Sequence, residues 1–312
     1  MHASINGIIN FHKPPGMTSH DGVNLLRRLT GIKKIGHTGT LDPMASGVLP
    51  LCIGRATRIV EYLAEDDKTY LCEFKLGLKS DTLDIWGDVK ETDWDNWNTL
   101  SADLVGNTVS SFVGNQTQIP PAYSAVKING RKLYEYARAG KPVSAPPRTI
   151  AIHNISIKQI DMATRLITME VACSKGTYIR SLCGGIGDKL GCGAVMSGLV
   201  RTASGMFSIE NSLTVEELTN AFTDGTNPPL QMLTATDAPL KNFPAVVLDG
   251  ADINRFTNGV KVEIKQLDMP DGLCRVYAGE DSRIDRQSNE RGAFLGIGRF
   301  NAGVLSAKKV LV

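Results

Sequence analysis

The sequence predicts a mixed α+β protein carrying a small β-rich unit at its C-terminal end. Strand-like runs such as GIINFHK, VLPLCIG and KTYLCEFKLG alternate with stretches of helical period over the first two thirds of the chain. From Phe243 onward the texture changes to short apolar runs separated by Gly, Asp and Asn turns, the pattern of a separate β domain. With 312 residues and 42% hydrophobic content the chain is long enough for a full core and for two domains, expected at 1–240 and 241–312.

Taken in order, GIINFHK reads as a strand ending at the Pro14-Pro15-Gly16 turn, and Ser19 is the expected cap of a helix through Leu29 that stops at Gly31. After a glycine-rich loop, VLPLCIG reads as a buried strand, RATRIVEYLAE as a helix and KTYLCEFKLG as a strand with alternating faces. In AYSAVKINGRKLYEYARAG, Asn129-Gly130 signals a tight turn before a helical pattern ending at Gly140. RTIAIHNISIKQID and RLITMEVACS are long β-like runs, and the second feeds a helix in KGTYIRSLCGGIGDKLG. Asn227-Pro228-Pro229 lies in a linker-like stretch, after which AVVL, CRVYA, AFLGIGRF and KVLV supply the short strands of the last unit.

Composition excludes several classes. No run approaches the roughly 18 apolar residues of a membrane span, and the N-terminus lacks the basic-then-apolar layout of a secretory signal, so the expectation is a cytoplasmic protein with no membrane partner. The six cysteines form no C-x-x-C pair and no Cys/His group with zinc spacing, which points to reduced, buried thiols and to no metal. Net charge is only +2, but its distribution is uneven. Up to residue 60, Lys13, Arg27, Arg28, Lys33, Lys34, Arg55 and Arg58 outnumber Asp21 and Asp42, whereas Glu61 to Asp95 is rich in acid. A basic N-terminal face suited to phosphate, or simply a solvated mixed surface, accounts for this pattern.

Residues 36–54, GHTGTLDPMASGVLPLCIG, pose the sharper question. No G-K-[ST] follows Gly36-His37-Thr38-Gly39, and the third glycine of a dinucleotide fingerprint is missing, so a phosphate-cradling nucleotide loop is unsupported. An acid before proline, as in Asp42-Pro43, is by default a turn or cap residue. Glycines at 36, 39 and 47 permit close backbone approach and Pro43 stiffens the segment, so a fixed loop presenting Asp42 as a nucleophile or base is the functional alternative.

Five strings, HKPPGMTSHD, GHTGTLDPMASGVLPLCIGRATR, KTYLCEFKLG, IPPAYSAVKINGRKLYEYARAG and SKGTYIRSLCGGIGDKLGCGA, occur in this order between residues 12 and 194, within a match that covers most of residues 6 to 210. In that order and spacing they resemble the bacterial TruB family, the tRNA pseudouridine-55 synthases. The segment from about 243 is similar, with weaker motifs, to the family's C-terminal PUA-like RNA-binding domain. The resemblance implies a pseudouridine synthase fold, a central and largely antiparallel sheet flanked by helices, with the β-rich domain appended. It also implies an isomerase that needs no cofactor, takes the T-arm and loop of tRNA as its partner without a guide RNA, and works as a monomer.

Site residues carry over by motif. Asp42 matches the family's indispensable carboxylate, which either adds to ribose C1′ or removes the C2′ proton. Arg180 in GTYIR would pair with Asp42 and hold it ionised against the effect of burial; by itself it reads as a surface or phosphate contact. Tyr70 in KTY matches the residue that lies on the target uracil and takes the C5 proton, although a tyrosine in an alternating strand is ordinarily packing. Tyr178 and Leu199 match pocket-lining positions and otherwise read as core. His37 matches the histidine that enters the tRNA loop and fills space left by flipped bases. Lys13, Lys127 and the Arg55/Arg58 pair are candidates for contacting phosphates or bracing the loop. Gly184-Gly185 and Val200 depart from the pattern, which usually has an Asp at 185 and an Arg at 200; the first departure is expected to loosen a helix and the second to remove an RNA contact. A non-catalytic tRNA binder or folding chaperone is the competing reading. A guide-RNA-dependent relative is disfavoured by the lack of long basic extensions.

Overall fold

The computed structural model describes residues 5–141, 143–222, 230–264, 269–279 and 292–312. Strand β1 (Gly7–Lys13) turns through Pro14-Pro15-Gly16 into helix α1 (Ser19–Thr30). The cap is Thr18 rather than Ser19: its hydroxyl accepts from the Asp21 amide while the Asp21 carboxylate accepts from the Thr18 amide, a reciprocal capping box. Gly31, left-handed at φ 69°, ends the helix as expected.

Strands β2 (Ile35–His37) and β3 (Ser46–Ile53) follow, and β3 is buried along nearly its whole length. The helix expected over 55–65 is instead a 3-10 segment, Gly54–Ile59, closing into a single α turn, α2 (Val60–Leu63). Three β-branched residues, Thr57, Ile59 and Val60, weaken the α form there, and burial of Ala56, Ile59 and Leu63 fixes the segment by packing.

Strand β4 (Lys68–Leu76) keeps the alternation, burying Tyr70, Cys72, Phe74 and Leu76 and exposing Glu73 and Lys75. A hairpin of β5 (Leu78–Ser80) and β6 (Val89–Glu91), helix α3 (Ala102–Ser110) and strand β7 (Gly114–Gln118) come next. Asn129 and Gly130, at φ 50° and 79°, make the tight turn between β8 (Lys127–Ile128) and β9 (Arg131–Lys132), which leads into α4 (Leu133–Arg138). The two long β-like runs are β10 (Arg148–Asp161) and β11 (Leu166–Cys173), paired antiparallel. Helix α5 (Ile179–Leu190) runs unbroken through Gly184-Gly185, and β12 (Ala194–Ser204), β13 (Phe207–Ser208) and α6 (Val215–Phe222) complete this part.

The main sheet has the order β1-β3-β12-β4-β11-β10-β7, with β2 on β3 and β13 on β12. Every pairing is antiparallel except β3 with β12. Helix α5 covers the face bearing Cys72, whose Sγ lies 3.4 Å from that of Cys183. All six cysteines are buried and unbridged.

The C-terminal unit comprises β14 (Ala245–Leu248), α7 (Ala251–Thr257), β15 (Val262–Glu263), β16 (Gly272–Ala278), β17 (Phe294–Asn301) and β18 (Val304–Val310). Its sheet, ordered β14-β16-β17-β18-β15, is separate from the first and has its own core. The last strand starts at Val304, earlier than the KVLV run. Ile297 and Leu311 pack with Ile8, Val48, Cys52 and Leu63, seating this unit on the outer side of β1 and β3. The Lys309–Glu61 ion pair at 2.7 Å and the Arg58 bond to the Val310 carbonyl reinforce that seat. Asn227-Pro228-Pro229 lies outside the described residues. Among the described residues no helix is long and apolar enough to cross a membrane.

Candidate active site

The loop between β2 and β3 is pinned on several sides around Asp42. Ser19, freed from capping, is buried and its hydroxyl both accepts from the Leu41 amide (2.8 Å) and donates to the Leu41 carbonyl (3.2 Å). The Gly16 amide donates to Pro43 O at 2.8 Å, and the Ala45 amide donates to Asp42 O at 3.0 Å. Lys13 is fully buried, and its ammonium donates to Pro14 O (2.9 Å), Met17 O (2.7 Å) and Pro43 O (3.4 Å). Of the two roles open to Lys13, this placement supports bracing the loop; an ammonium buried on carbonyls is not presented to phosphate. Burial lowers its pKa to about 8.

Glycine matters at one of the three positions singled out in the loop. Gly47 has φ 102°, and a Cβ there would stand 2.2 Å from the Arg201 carbonyl. Gly36 and Gly39 have only ordinary clearances, 3.9 and 3.5 Å.

Arg180 is the second residue of α5, in its first turn after the cap residue Tyr178, and its side chain lies against Asp42. Nε is 2.9 Å from Asp42 Oδ2 and Nη1 is 3.3 Å from Asp84 Oδ2. The Nε contact is an ion pair rather than an aligned hydrogen bond, because the N–H points off the oxygen. Nη1 also donates to Thr82 O (2.8 Å), and Nη2 to Tyr123 O (3.0 Å). The guanidinium is 5% exposed, whereas the Asp42 side chain keeps 34% of its surface open, so the acid is the part of the pair a substrate can reach. Burial is the largest influence on Asp42 and raises its pKa; Arg180 opposes that rise without cancelling it, and Asp84 adds to it. Arg180 therefore acts in the expected direction, against burial, and the net shift remains upward.

Asp84 was not legible in the sequence. It sits in an acid-rich stretch with no motif of its own, and reaches Arg180 because the Leu83 carbonyl and Ile85 amide bond to Met196 of β12.

Tyr70 and Leu199 stand on adjacent strands, Tyr70 opposite Arg201 and Leu199 opposite Cys72, so their side chains share the sheet face that α5 covers. Both are buried to 9% exposure. Burial raises the Tyr70 pKa, and Arg201 opposes the rise. Tyr178 is half-buried at the start of α5, with Gln118 bonding both its amide (2.8 Å) and its carbonyl (3.0 Å). His37 closes β2 half-buried with Nδ1 turned inward, and burial lowers its pKa. The fold thus gathers Asp42, Tyr70 and Arg180 at one place.

Lys127 is exposed on the β8–β9 hairpin. Around it, Arg131 lies 5.0 Å from the Tyr136 ring and Lys132 and Arg138 each lie 5.4 Å from the Tyr134 ring, a basic and aromatic surface. Arg55 is exposed, and Arg58 bonds the Val310 carbonyl. Val200 pairs with Ser46 and Leu71 within the sheet.

Residues 27–179 match the TruB family pseudouridylate synthase N-terminal domain, 180–240 the tRNA pseudouridylate synthase B C-terminal domain, and 244–311 the pseudouridine synthase II TruB C-terminal model. A tRNA pseudouridine synthase B of Clostridium novyi (strain NT) is 42% identical over 99% of this chain and 100% of its own length. That of Bacillus subtilis (strain 168) is 42% identical over 99% and 98% respectively. Among solved structures, a chain of a Cbf5-Nop10-Gar1 complex superposes with a TM-score of 0.71 at 26% identity, covering 98% of this chain and 85% of its own.

Proposed function

The chain belongs to the TruB family of pseudouridylate synthases, and from that premise we propose that it converts uridine-55 in the T-loop of tRNA to pseudouridine, with Asp42 acting on the ribose. The observation that carries this reading is the Asp42–Arg180 pair: a carboxylate open at 34%, on a loop pinned by Ser19, Gly16 and Lys13, over a guanidinium that is 5% exposed. A group held this way can attack C1′ or take the C2′ proton with little reorganisation.

The reaction is an isomerisation. The N1–C1′ bond breaks, the uracil turns, and C5 bonds to C1′; nothing is oxidised and no cofactor is called for. Arg180 fixes the orientation of Asp42 and keeps a countercharge against it. Tyr70 accepts the C5 proton, while Tyr178 and Leu199 line the space for the base. The target base is stacked inside the folded tRNA, so it must be flipped, at a cost of a few kcal/mol. His37 would fill the space it leaves. The β8–β9 hairpin, with Lys127, and the sheet of residues 245–310 would bear on the RNA, in keeping with a catalytic domain over 1–240 and an RNA-binding domain over 241–312. The whole-length likeness to proteins named tRNA pseudouridine synthase B supports a standalone enzyme acting on tRNA without a guide.

The test is site-mapped product. An unmodified tRNA transcript should gain pseudouridine at the T-loop uridine and nowhere else, and a transcript with cytidine at that position should gain none. Tight binding of tRNA without product would instead favour a folding chaperone.

A further inference from the structure

Among the described residues, four other than glycine hold a left-handed backbone: Leu83, Asn129, Arg165 and Ala302. Three of them close short turns between consecutive strands: Asn129 between β8 and β9, Arg165 between β10 and β11, and Ala302 between β17 and β18. Leu83, at φ 65°, lies instead in the longer connection from β5 to β6, the segment that carries Asp84 to Arg180. Leucine, unlike asparagine, has no polar side chain to ease that conformation, and such a residue persists only where its surroundings over-determine it. Here they do. The Leu83 amide donates to Ser80 O at 3.2 Å, its carbonyl accepts from the Met196 amide at 3.1 Å, and the Ile85 amide donates to Met196 O at 3.0 Å. The Leu83 side chain lies over Gly184, one turn of α5 beyond Arg180.

The two neighbours of Leu83 meet at one atom. Nη1 of Arg180 donates to Thr82 O at 2.8 Å and lies 3.3 Å from Asp84 Oδ2. The Asp84 carboxylate is itself held, its Oδ1 accepting from Thr82 Oγ1 at 2.8 Å and from the Trp86 amide at 3.0 Å. With the chain anchored on Met196, a different φ at Leu83 redirects the path between Thr82 and Asp84, and the two oxygens no longer converge on Nη1. We propose that Leu83 is a positioning residue, whose left-handed backbone brings the Thr82 carbonyl and the Asp84 carboxylate together on Arg180 and so fixes the guanidinium against Asp42. The inference rests on the pseudouridine reading above. The strain at Leu83 is thus part of how Asp42 is aimed, and the apolar side chain is secondary to it.

The test separates backbone from side chain in the full-length protein with an unmodified tRNA transcript. Leu83→Ile keeps size and apolarity but branches at Cβ, for which a left-handed backbone is a genuine outlier. Leu83→Gly and Leu83→Asn discard the apolar side chain and keep ready access to the left-handed region. Single-turnover rates on saturating tRNA are taken per tRNA-binding site, so misfolded protein does not enter, and Leu83→Val takes the place of the isoleucine variant if that one does not fold. Leu83→Ile should slow pseudouridine formation about tenfold, within the roughly 10²-fold that a misplacement of 1 Å can cost, with tRNA affinity unchanged. Leu83→Gly and Leu83→Asn should rescue the rate to near that of the wild type. A β-branched variant at the wild-type rate, or glycine and asparagine variants no faster than it, would overturn the proposal and leave Leu83 a packing residue on Gly184. Absence of product from the wild-type protein would instead overturn the functional reading itself.

Discussion

Nε of Arg180 lies 2.9 Å from Oδ2 of Asp42, and that pair is closed from below by Asp84, 3.3 Å from Nη1 of the same guanidinium. The buried cation thus balances two acids at once.

Removing it strands both. Arg180→Met should lower unfolding free energy by about 3–5 kcal/mol, the cost typical of leaving a buried charge unpaired, and turnover by at least about 100-fold. Chemical denaturation followed beside product formation checks this. A loss of activity with an unchanged denaturation midpoint would show that Asp84 and Asp42 do not depend on Arg180 for their burial.

Asp42 itself should destabilise the fold at neutral pH. Its folded pKa is raised, so the neutral acid suits the native state better than the anion. The stability it contributes is present in full below the ordinary carboxylate pKa and is lost as pH rises through the raised folded value. Asp42→Asn should therefore melt above wild type at pH 7, with the gap closing as pH falls below about 4. A variant that melts lower than wild type at pH 7 would mean that the Arg180 attraction outweighs burial after all.

Which of these features the sequence disclosed follows from how far apart their causes lie along the chain. Local chemistry was legible: the Asn129-Gly130 turn, the Gly31 stop of α1, the alternation of β4 and the loop presenting Asp42 all depend on adjacent residues. Long-range partners were not. Ser19 looked like a cap because Thr18 and Ser19 are equally good cap residues, and only the fold shows Thr18 capping while Ser19 reaches Leu41. Lys13 read as a possible phosphate contact because nothing in its neighbourhood shows that the chain will close over it. Asp84 meets Arg180 across 96 residues of sequence, and Tyr70 pairs with Arg201 across 131, through long-range pairings that no local pattern encodes.

His37 should matter more for folded tRNA than for a loosened substrate. His37→Ala is expected to reduce turnover on intact tRNA more than on an isolated T-arm whose loop is already open, because only the former must have its base displaced. Parallel kcat/KM measurements on the two RNAs decide it, and equal losses would remove His37 from base flipping.

Binding should weaken with salt despite the net charge of +2. Phosphate contacts release counterions locally, whatever charge lies elsewhere. Replacing the exposed hairpin cation Lys127 by Gln should weaken tRNA binding across all sequences and reduce the slope of log affinity against log salt by about 1. An unaltered slope would take this hairpin out of the phosphate-binding surface.

The central claim is that Asp42 performs the chemistry. Pseudouridine at the T-loop uridine should be measured in an unmodified tRNA transcript, without added metal or cofactor, for wild type and Asp42→Asn, with tRNA affinity measured beside it. The account predicts product from the wild type, none from Asp42→Asn, and comparable binding by both. Product from Asp42→Asn at the wild-type rate would contradict it.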